Sequence, residues 1–351
     1  MTSMNDIAKL AGVSKATVSL ALADHPRISE ETKAKIRTIA QQLGYMQRPS
    51  SAKSDVAEPR RKAGISIGVL YVGGNQSFAQ GFFRDTLMGI CGEGARNHAH
   101  VVVIGMHASG EDTDTDDLYG KVMESGVEGI IVISSTPKLY GFDRLVERDF
   151  PMVFVGNRRL ADRDHALHSV SSDNYDGGVM ATEHLLGLGH RKLAVVVGRR
   201  PLTWETDRLN GFFSALRAAG IAAGEEAVVR VTNSYDPEES GWKQLEQMGA
   251  TAVFATNSLL GHMTLRHSRN IGKSVPEELS LIVFDDTAFF PLENPPVTVV
   301  KQDMESLGTL SAKMLLDLID NPGQPARQVL ISASLAERAS CAPPAQVDIS
   351  K

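Results

Sequence analysis

Asp6-Ile-Ala-Lys-Leu-Ala-Gly-Val-Ser-Lys-Ala-Thr-Val-Ser19 is the stretch on which the reading of this chain turns. Ser3 is placed to cap a short helix, and Asp6, three residues on, completes a capping box. Ile7, Leu10 and Ala11 fall on one face at helical spacing. Gly12 stands where the chain must leave that helix, and only glycine takes a left-handed turn residue without steric cost. Val13 is the apolar pin of the turn, and Ser14 is placed to cap a second helix from Lys15 to Leu22. A third helix, capped by Ser29, carries Ile36, Ile39, Ala40 and Leu43 and ends at Gly44-Tyr45. Helices so spaced form a helix-turn-helix unit, in which the second helix lies in a DNA major groove.

Charge supports that reading over a small helical subdomain with no ligand. Residues 1–62 hold 11 Lys and Arg against 6 Asp and Glu, a balance of +5. The other 289 residues hold 25 against 36, a balance of −11. A basic head on an acidic body is the footprint of phosphate contact confined to one end.

Beyond the head the character of the chain changes twice. Residues 46–63 are rich in proline, serine and charge, which marks a linker. From Ile65 onward, short β-branched runs alternate with amphipathic stretches. Ile65–Val72, Val101–Gly105, Gly129–Ser134 and Met152–Val155 suit parallel strands covered on both faces, as do Leu193–Val197, Ala227–Val231, Ala252–Thr256 and Leu279–Phe284. Helical stretches fall near Phe82–Asn97, Asp116–Ser125, Phe142–Arg148, Gly177–Leu188, Asp207–Ala219, Glu238–Met248 and Leu259–Asn270. The fold class is an all-α head followed by an α/β core of two doubly wound parallel-sheet subdomains. A last helix, Met304–Ile319, is expected to return to the first subdomain.

Open parallel sheets bind ligands beyond the carboxyl ends of their strands, so two such sheets imply a pocket between them. The polar residues that end the strands are therefore candidates. Ser134, Ser135 and Thr136 follow Ile133, and Asn157 and Arg158 follow Val155. Asn257 follows Thr256, and Asp285 and Asp286 follow Phe284. Each has a structural alternative, because a strand-terminal Asp or Asn also caps the next helix.

The segment Asp6 to Tyr45 resembles the DNA-binding domain of the lac repressor (LacI/GalR) family. The resemblance runs through Gly81-Phe-Phe, Asp173-Asn-Tyr-Asp-Gly-Gly178, Thr182 to His190, Arg208-Leu-Asn-Gly-Phe212, Ala255-Thr-Asn257, Pro276 to Ser280, Phe284-Asp-Asp286 and Glu337 to Pro344. It implies a periplasmic-binding-protein-like core and the division 1–46 for the head, 47–63 for the hinge and 64–345 for the core. Within the core, it implies one subdomain of 64–168 with 302–324 and another of 169–301 with 325–345.

Arg208, expected at the start of its helix, matches the family's ligand-clamping arginine, and Asn257 and Asp285 match its polar ligand contacts. Phe82 and Phe83 stand where the family lines the pocket. Trp204 either stacks on a sugar face or packs its loop. Arg208 and Asp285 are expected on opposite walls of the pocket. In the head, Lys15, Ala16 and Leu20 match the base-reading positions, with Ser14, Thr17 and Ser19 on phosphates. The family forms a hinge helix in the linker, with a leucine wedged into the minor groove. Here Ala52-Lys53-Ser54 resembles the hinge core, but the leucine is replaced by Asp55 or a neighbour, and Val56 is the one branched apolar candidate. Val283 and Ser258 also depart from the family's glycine and aspartate, so effector identity does not transfer from a relative.

The implied partners are operator DNA, a sugar or sugar-derived effector, and a second copy of the chain, with a tetramer left open. No cofactor or metal is implied. An enzyme reading finds no Gly-x-Ser-x-Gly elbow, no phosphate-binding Gly-x-x-x-x-Gly-Lys and no His/Cys cluster at metal spacing. The histidines, His98, His100, His184 and His190 among them, read as surface or capping residues. The two cysteines, Cys91 and Cys341, lie far apart and suit a reducing cytoplasm. No secretory signal opens the chain, and no stretch approaches a membrane span. The alternatives left open are a solute-binding protein of periplasmic type and a core that senses a non-sugar ligand or a protein co-regulator.

Overall fold

The structure, a computed structural model, describes residues 4–14, 17–18, 21, 28–42, 64–72, 81–106, 116–134, 142–156, 167–199, 202–232 and 235–345. The chain divides into two compact units, residues 1–61 and 62–351.

In the smaller unit, α1 (Met4–Ala11) ends as the glycine requires. Gly12 takes φ +70°, and the Val13 amide donates to the Ala8 carbonyl at 3.1 Å. That six-to-one bond across a left-handed glycine is a Schellman closure. Thr17, Val18 and Ala21 are helical, and α2 spans Glu30–Gln42. Ser14 Oγ accepts from the Thr17 amide at 3.1 Å, and Ser29 Oγ accepts from the Thr32 amide at 3.3 Å, so two of the three expected caps form, while Ser3 lies outside the described residues. The core is Ile7, Ala8, Ala11, Val18, Ala21, Ile36 and Ala40. Leu10, expected in it, is 61% exposed. At 100° per residue, Ile7, Ala8 and Ala11 define the buried face, and Leu10 falls off its edge. Leu43 and the linker lie outside the described residues.

The larger unit holds two six-stranded sheets. The first runs β2 (His100–Met106), β1 (Ser66–Val72), β3 (Gly129–Ser134), β4 (Met152–Val155), β5 (Ser169–Ser172), β11 (Gln328–Ile331), all parallel. The second runs β7 (Val228–Val231), β6 (Leu193–Gly198), β8 (Ala252–Ala255), β9 (Ser280–Phe284), β10 (Thr298–Lys301), β12 (Ser334–Ala336), with only β12 antiparallel. Both orders reverse direction once, between β1 and β3 and between β6 and β8, and those switch points are where doubly wound sheets bind ligands. Strand side chains alternate between two cores. Val69, Ile131 and Ile133 pack into one and Leu70, Ile130 and Val132 into the other, as the period-2 pattern of a doubly covered sheet demands.

The covering helices are α3 (Gly81–Arg96), α4 (Asp116–Glu124), α5 (Asp143–Val146), α6 (Asn174–Gly187), α7 (Thr203–Ala218), α8 (Ser240–Gln247), α9 (Ser258–Asn270) and α10 (Met304–Asp320). α10 packs its Leu307, Leu315 and Leu318 into the first subdomain's core, as expected. It crosses α3 where Gly89 and Gly308 meet. A Cβ on either would collide with backbone of the facing helix, at Glu305 O and Thr86 O respectively.

The subdomain boundaries need correction. Ser169–Ser172 and Gln328–Ile331 belong to the first sheet, not the second. The chain therefore crosses between subdomains at Asp173, at Gln302–Asp303 and at Ser332–Ala333. β5 carries no apolar run, yet all four of its residues are buried, because β4 and β11 flank it and the Ser171 hydroxyl donates to the Ser172 carbonyl. α7 also begins earlier than its apolar pattern suggested, at Thr203, which puts Arg208 in its second turn.

Candidate functional site

At the carboxyl end of the second sheet, four short segments converge on one guanidinium. Arg208 is 3% exposed on α7. Its Nε donates to Asn174 Oδ1 at 2.9 Å, and its Nη1 donates to the Thr256 carbonyl at 2.6 Å and lies 3.5 Å from Asp285 Oδ2. The guanidinium carbon is 3.4 Å from the Phe284 ring centroid and 4.5 Å from that of Trp204. Nη2 has no partner among the described residues. Burial pulls the Arg208 pKa down, while Asp285 and Glu205 oppose that shift. The cation persists because its partners replace lost water.

The site is possible because α6 and α7 touch. A Cβ at Gly178 would strike the Arg208 carbonyl, and one at Gly211 would strike that of Tyr175. Only glycine at both positions lets α7 approach closely enough for Arg208 to reach Asn174 at the head of α6.

Asp285 and Arg208 both belong to the second subdomain, so the expectation that they face each other across the pocket is wrong. They form a partly buried ion pair on one wall. Asp285 does not cap a helix. It sits at φ +77°, a left-handed conformation uncommon outside glycine, and accepts from Gln302 Nε2 as well as from Arg208. Asp286 instead pairs with Arg338, at 2.6 and 3.0 Å. Asn257 does act as a cap: its Oδ1 accepts from the Leu260 amide at 2.9 Å, while its Nδ2 donates to Glu205 at 3.3 Å.

Glu205, Asn174 and Gln302 were not singled out from sequence. Glu205 is 4% exposed and accepts from the Gly198 amide, the Thr256 hydroxyl and Asn257, which ties β6, β8 and α9 together at the switch point. Its spacing three residues before Arg208 on one helix was the available signal. Trp204 lies in the first turn of α7, half-buried, with Arg208 against its ring. Of the two phenylalanines, Phe83 is buried in the first subdomain's core, edge-on to Tyr71 at 4.7 Å, and Phe82 is half-buried against that core. Thr136, Arg158, Lys15, Ala16, Ser19, Leu20, Ala52 and Val56 lie outside the described residues. Ser14 and Thr17 are present, their hydroxyls 2.9 Å apart at the start of the second helix. His190, expected as a surface or capping residue, is 1% exposed and lies within hydrogen-bond distance of Thr251, Ser280 and the Ala342 carbonyl. No helix of the described residues is long and apolar enough to cross a membrane.

Comparison with known proteins agrees with this architecture. Residues 3–48 match the model for bacterial regulatory proteins of the lacI family, and residues 182–341 match that for a periplasmic binding protein-like domain. A relative in Bacillus subtilis, named "Probable HTH-type transcriptional repressor ExuR", is 31% identical over 97% of this chain and 98% of its own. The HTH-type transcriptional regulator CelR of Thermobifida fusca is 29% identical over 92% of this chain and 94% of its own. A solved transcriptional regulator CelR–cellobiose complex superposes with a TM-score of 0.70 at 26% identity, covering 97% of this chain and all of that one. The lac repressor dimer bound to operator shares the fold at a TM-score of 0.68 and 23% identity, covering 97% of this chain and 99% of that one. A helix-turn-helix head joined to a core of two parallel sheets, matched over nearly its whole length by transcriptional regulators, places the chain in the lacI family of bacterial regulatory proteins.

Proposed function

We propose that the protein is a repressor of carbohydrate-utilisation genes that binds a near-palindromic operator as a homodimer and releases or tightens on it when a sugar occupies the core. The observation that carries this reading is the Arg208–Asp285 pair at the carboxyl end of the second sheet, in a chain whose head closes α1 on Gly12 and caps its second helix with Ser14. A charged donor beside a carboxylate acceptor suits vicinal hydroxyls, and Nη2 of Arg208 remains to donate. Asn257, Trp204, Phe82, Phe83, Thr136 and Arg158 complete the proposed effector site. The CelR–cellobiose complex supports a sugar as the class.

One recognition helix does not supply the usual specific affinity of about 10⁻⁸ M or better, so two heads on a two-fold dimer are required. Lys15, Ala16 and Leu20 face the bases, Ser14, Thr17 and Ser19 the phosphates, and Ala52 and Val56 the minor groove at the operator centre. Leucine cannot donate to guanine and meets only a thymine methyl or a groove wall. Selection from random DNA with the full chain should return two dyad-related half-sites with A·T opposite Leu20. An invariant G·C there would overturn the Leu20 assignment, and no enrichment at all would overturn the operator reading in favour of a solute binder. Operator titrations with a sugar panel that begins with cellobiose then test the effector.

A further inference from the structure

Rotation of one subdomain against the other must be absorbed where the chain crosses between them. Two of the three crossings carry a buried amide side chain. Asn174, 6% exposed, follows β5 by two residues, and Gln302, also 6% exposed, follows β10 directly. No bond joins the two amides, yet both end on the same ion pair. Asn174 accepts from Arg208 through Oδ1 at 2.9 Å and donates to the Ser172 carbonyl through Nδ2 at 3.0 Å. Gln302 donates to Asp285. The backbone adds the third crossing, since the Asp173 amide donates to the Ile331 carbonyl at 2.9 Å.

The weakest link in this chain of bonds is its middle. Arg208 Nη1 lies 2.6 Å from the Thr256 carbonyl but 3.5 Å from Asp285 Oδ2, at the far limit of a hydrogen bond. Asp285 itself holds a left-handed backbone conformation that its surroundings must enforce. A ligand hydroxyl taken up at this pair would reset that link, and through it the two crossings.

We infer that Asn174 and Gln302 are positioning residues that tie the Arg208–Asp285 pair to two of the three crossings, so that occupation of the pair is converted into rotation of the subdomains. The consequence for regulation rests on the effector site proposed above, whereas the wiring stands independently of any ligand. A ligand moves such an equilibrium only through its affinity difference between the two arrangements, and rotation about these crossings would change the partners that the two amides offer Arg208 and Asp285.

Hydrogen–deuterium exchange on the full chain, with no ligand added, tests the wiring. Gln302→Met keeps the length and removes the donor. It should speed exchange at residues 172–176, on the other crossing, by about threefold or more. Asn174→Leu should do the same at residues 301–306. The double variant should gain less than the product of the two, because one relay serves both. Thr86→Val, at the helix crossing of the first subdomain, should change neither segment. The inference is overturned if each variant loosens only its own crossing or if the double variant is multiplicative. Should Asn174→Leu fail to fold, the Gln302→Met result at residues 172–176 decides alone. If these results hold while no sugar stabilises the protein, the wiring stands and the effector assignment falls. If a sugar binds while exchange stays local, the reverse is true.

Discussion

In the first subdomain Gly89 of α3 and Gly308 of α10 bring two helices into backbone contact, and in the second Gly178 of α6 and Gly211 of α7 do the same. Around the first crossing polar atoms do little: across it Thr309 Oγ1 reaches the Gly89 carbonyl at 3.4 Å. Thr86 Oγ1 and Ser311 Oγ are buried there with no hydrogen-bond partner among the described residues. Around the second the approach positions a charge: the carbonyl that Gly178 makes room for is that of Arg208, whose side chain gathers Asn174, Thr256 and Asp285. One packing device thus serves as plain scaffold in one half and aims a charged group in the other. The difference lies in what the approaching helix carries on its next atoms.

The largest test of that contrast is Arg208→Ala. It leaves Asn174 Oδ1 and the Thr256 carbonyl without this donor and Asp285 without its cation in a partly buried setting, and should cost about 3–5 kcal/mol by urea unfolding. A loss below about 1 kcal/mol would mean that the second crossing is as inert as the first.

Next come the glycines themselves. Gly89→Ala and Gly178→Ala each force a Cβ into facing backbone and should destabilise by roughly 1–3 kcal/mol. Their functional effects should differ. Gly178→Ala displaces Arg208 and should weaken binding of the sugar found by the panel, whereas Gly89→Ala should leave it intact. Equal losses of ligand affinity would erase the distinction.

Titration provides a smaller effect that again divides the halves. Among the described residues, burial lowers the pKa of His184, His190, His262 and His267 in the second subdomain, and of His168 alone in the first. His190 Nε2 faces the Ala342 carbonyl at 2.9 Å and so carries the proton, while Nδ1 lies 2.9 Å from Thr251 Oγ1. Protonation of Nδ1 would place a charge in a buried site, which burial disfavours. Because the folded pKa lies below the unfolded value of about 6.5, the unfolded chain takes up the proton first, and stability is lost as pH falls below that value. The melting temperature should therefore drop between pH 7.5 and pH 5.5, and His190→Asn should flatten the drop. An unchanged slope would show that His190 is not the group responsible.

The smallest effect is expected where polar atoms have no partner. Thr86→Val removes an unsatisfied buried hydroxyl and should be neutral or stabilising by up to about 1 kcal/mol. The matched change Thr256→Val, which strips bonds to Val196 O and Glu205, should cost about 1–2 kcal/mol.

Much of this molecule was written locally. Gly12, Ser14 and Ser29 fix the ends of the head's helices because caps and left-handed turns are chosen by single residues. The β-branched runs fix β1, β3, β4, β6, β8 and β9 because a doubly buried strand must be apolar along its length. The polar residue types of the proposed effector site follow from the same local logic, since strand ends at a switch point expose polar side chains. What the tertiary structure alone decided is partnership. Ser169–Ser172 has no apolar signal, and only its place between β4 and β11 makes it a core strand of the first sheet. Arg208 and Asp285 lie 77 residues apart, and their shared wall depends on which sheet each following strand joins. Glu205, Asn174 and Gln302 matter through partners up to 52 residues away, such as Asn257 for Glu205. Local periodicity carries the choice between helix and strand, but a buried charge is compensated by whatever groups the packed chain brings within about 3 Å, and that is settled only when the helices touch.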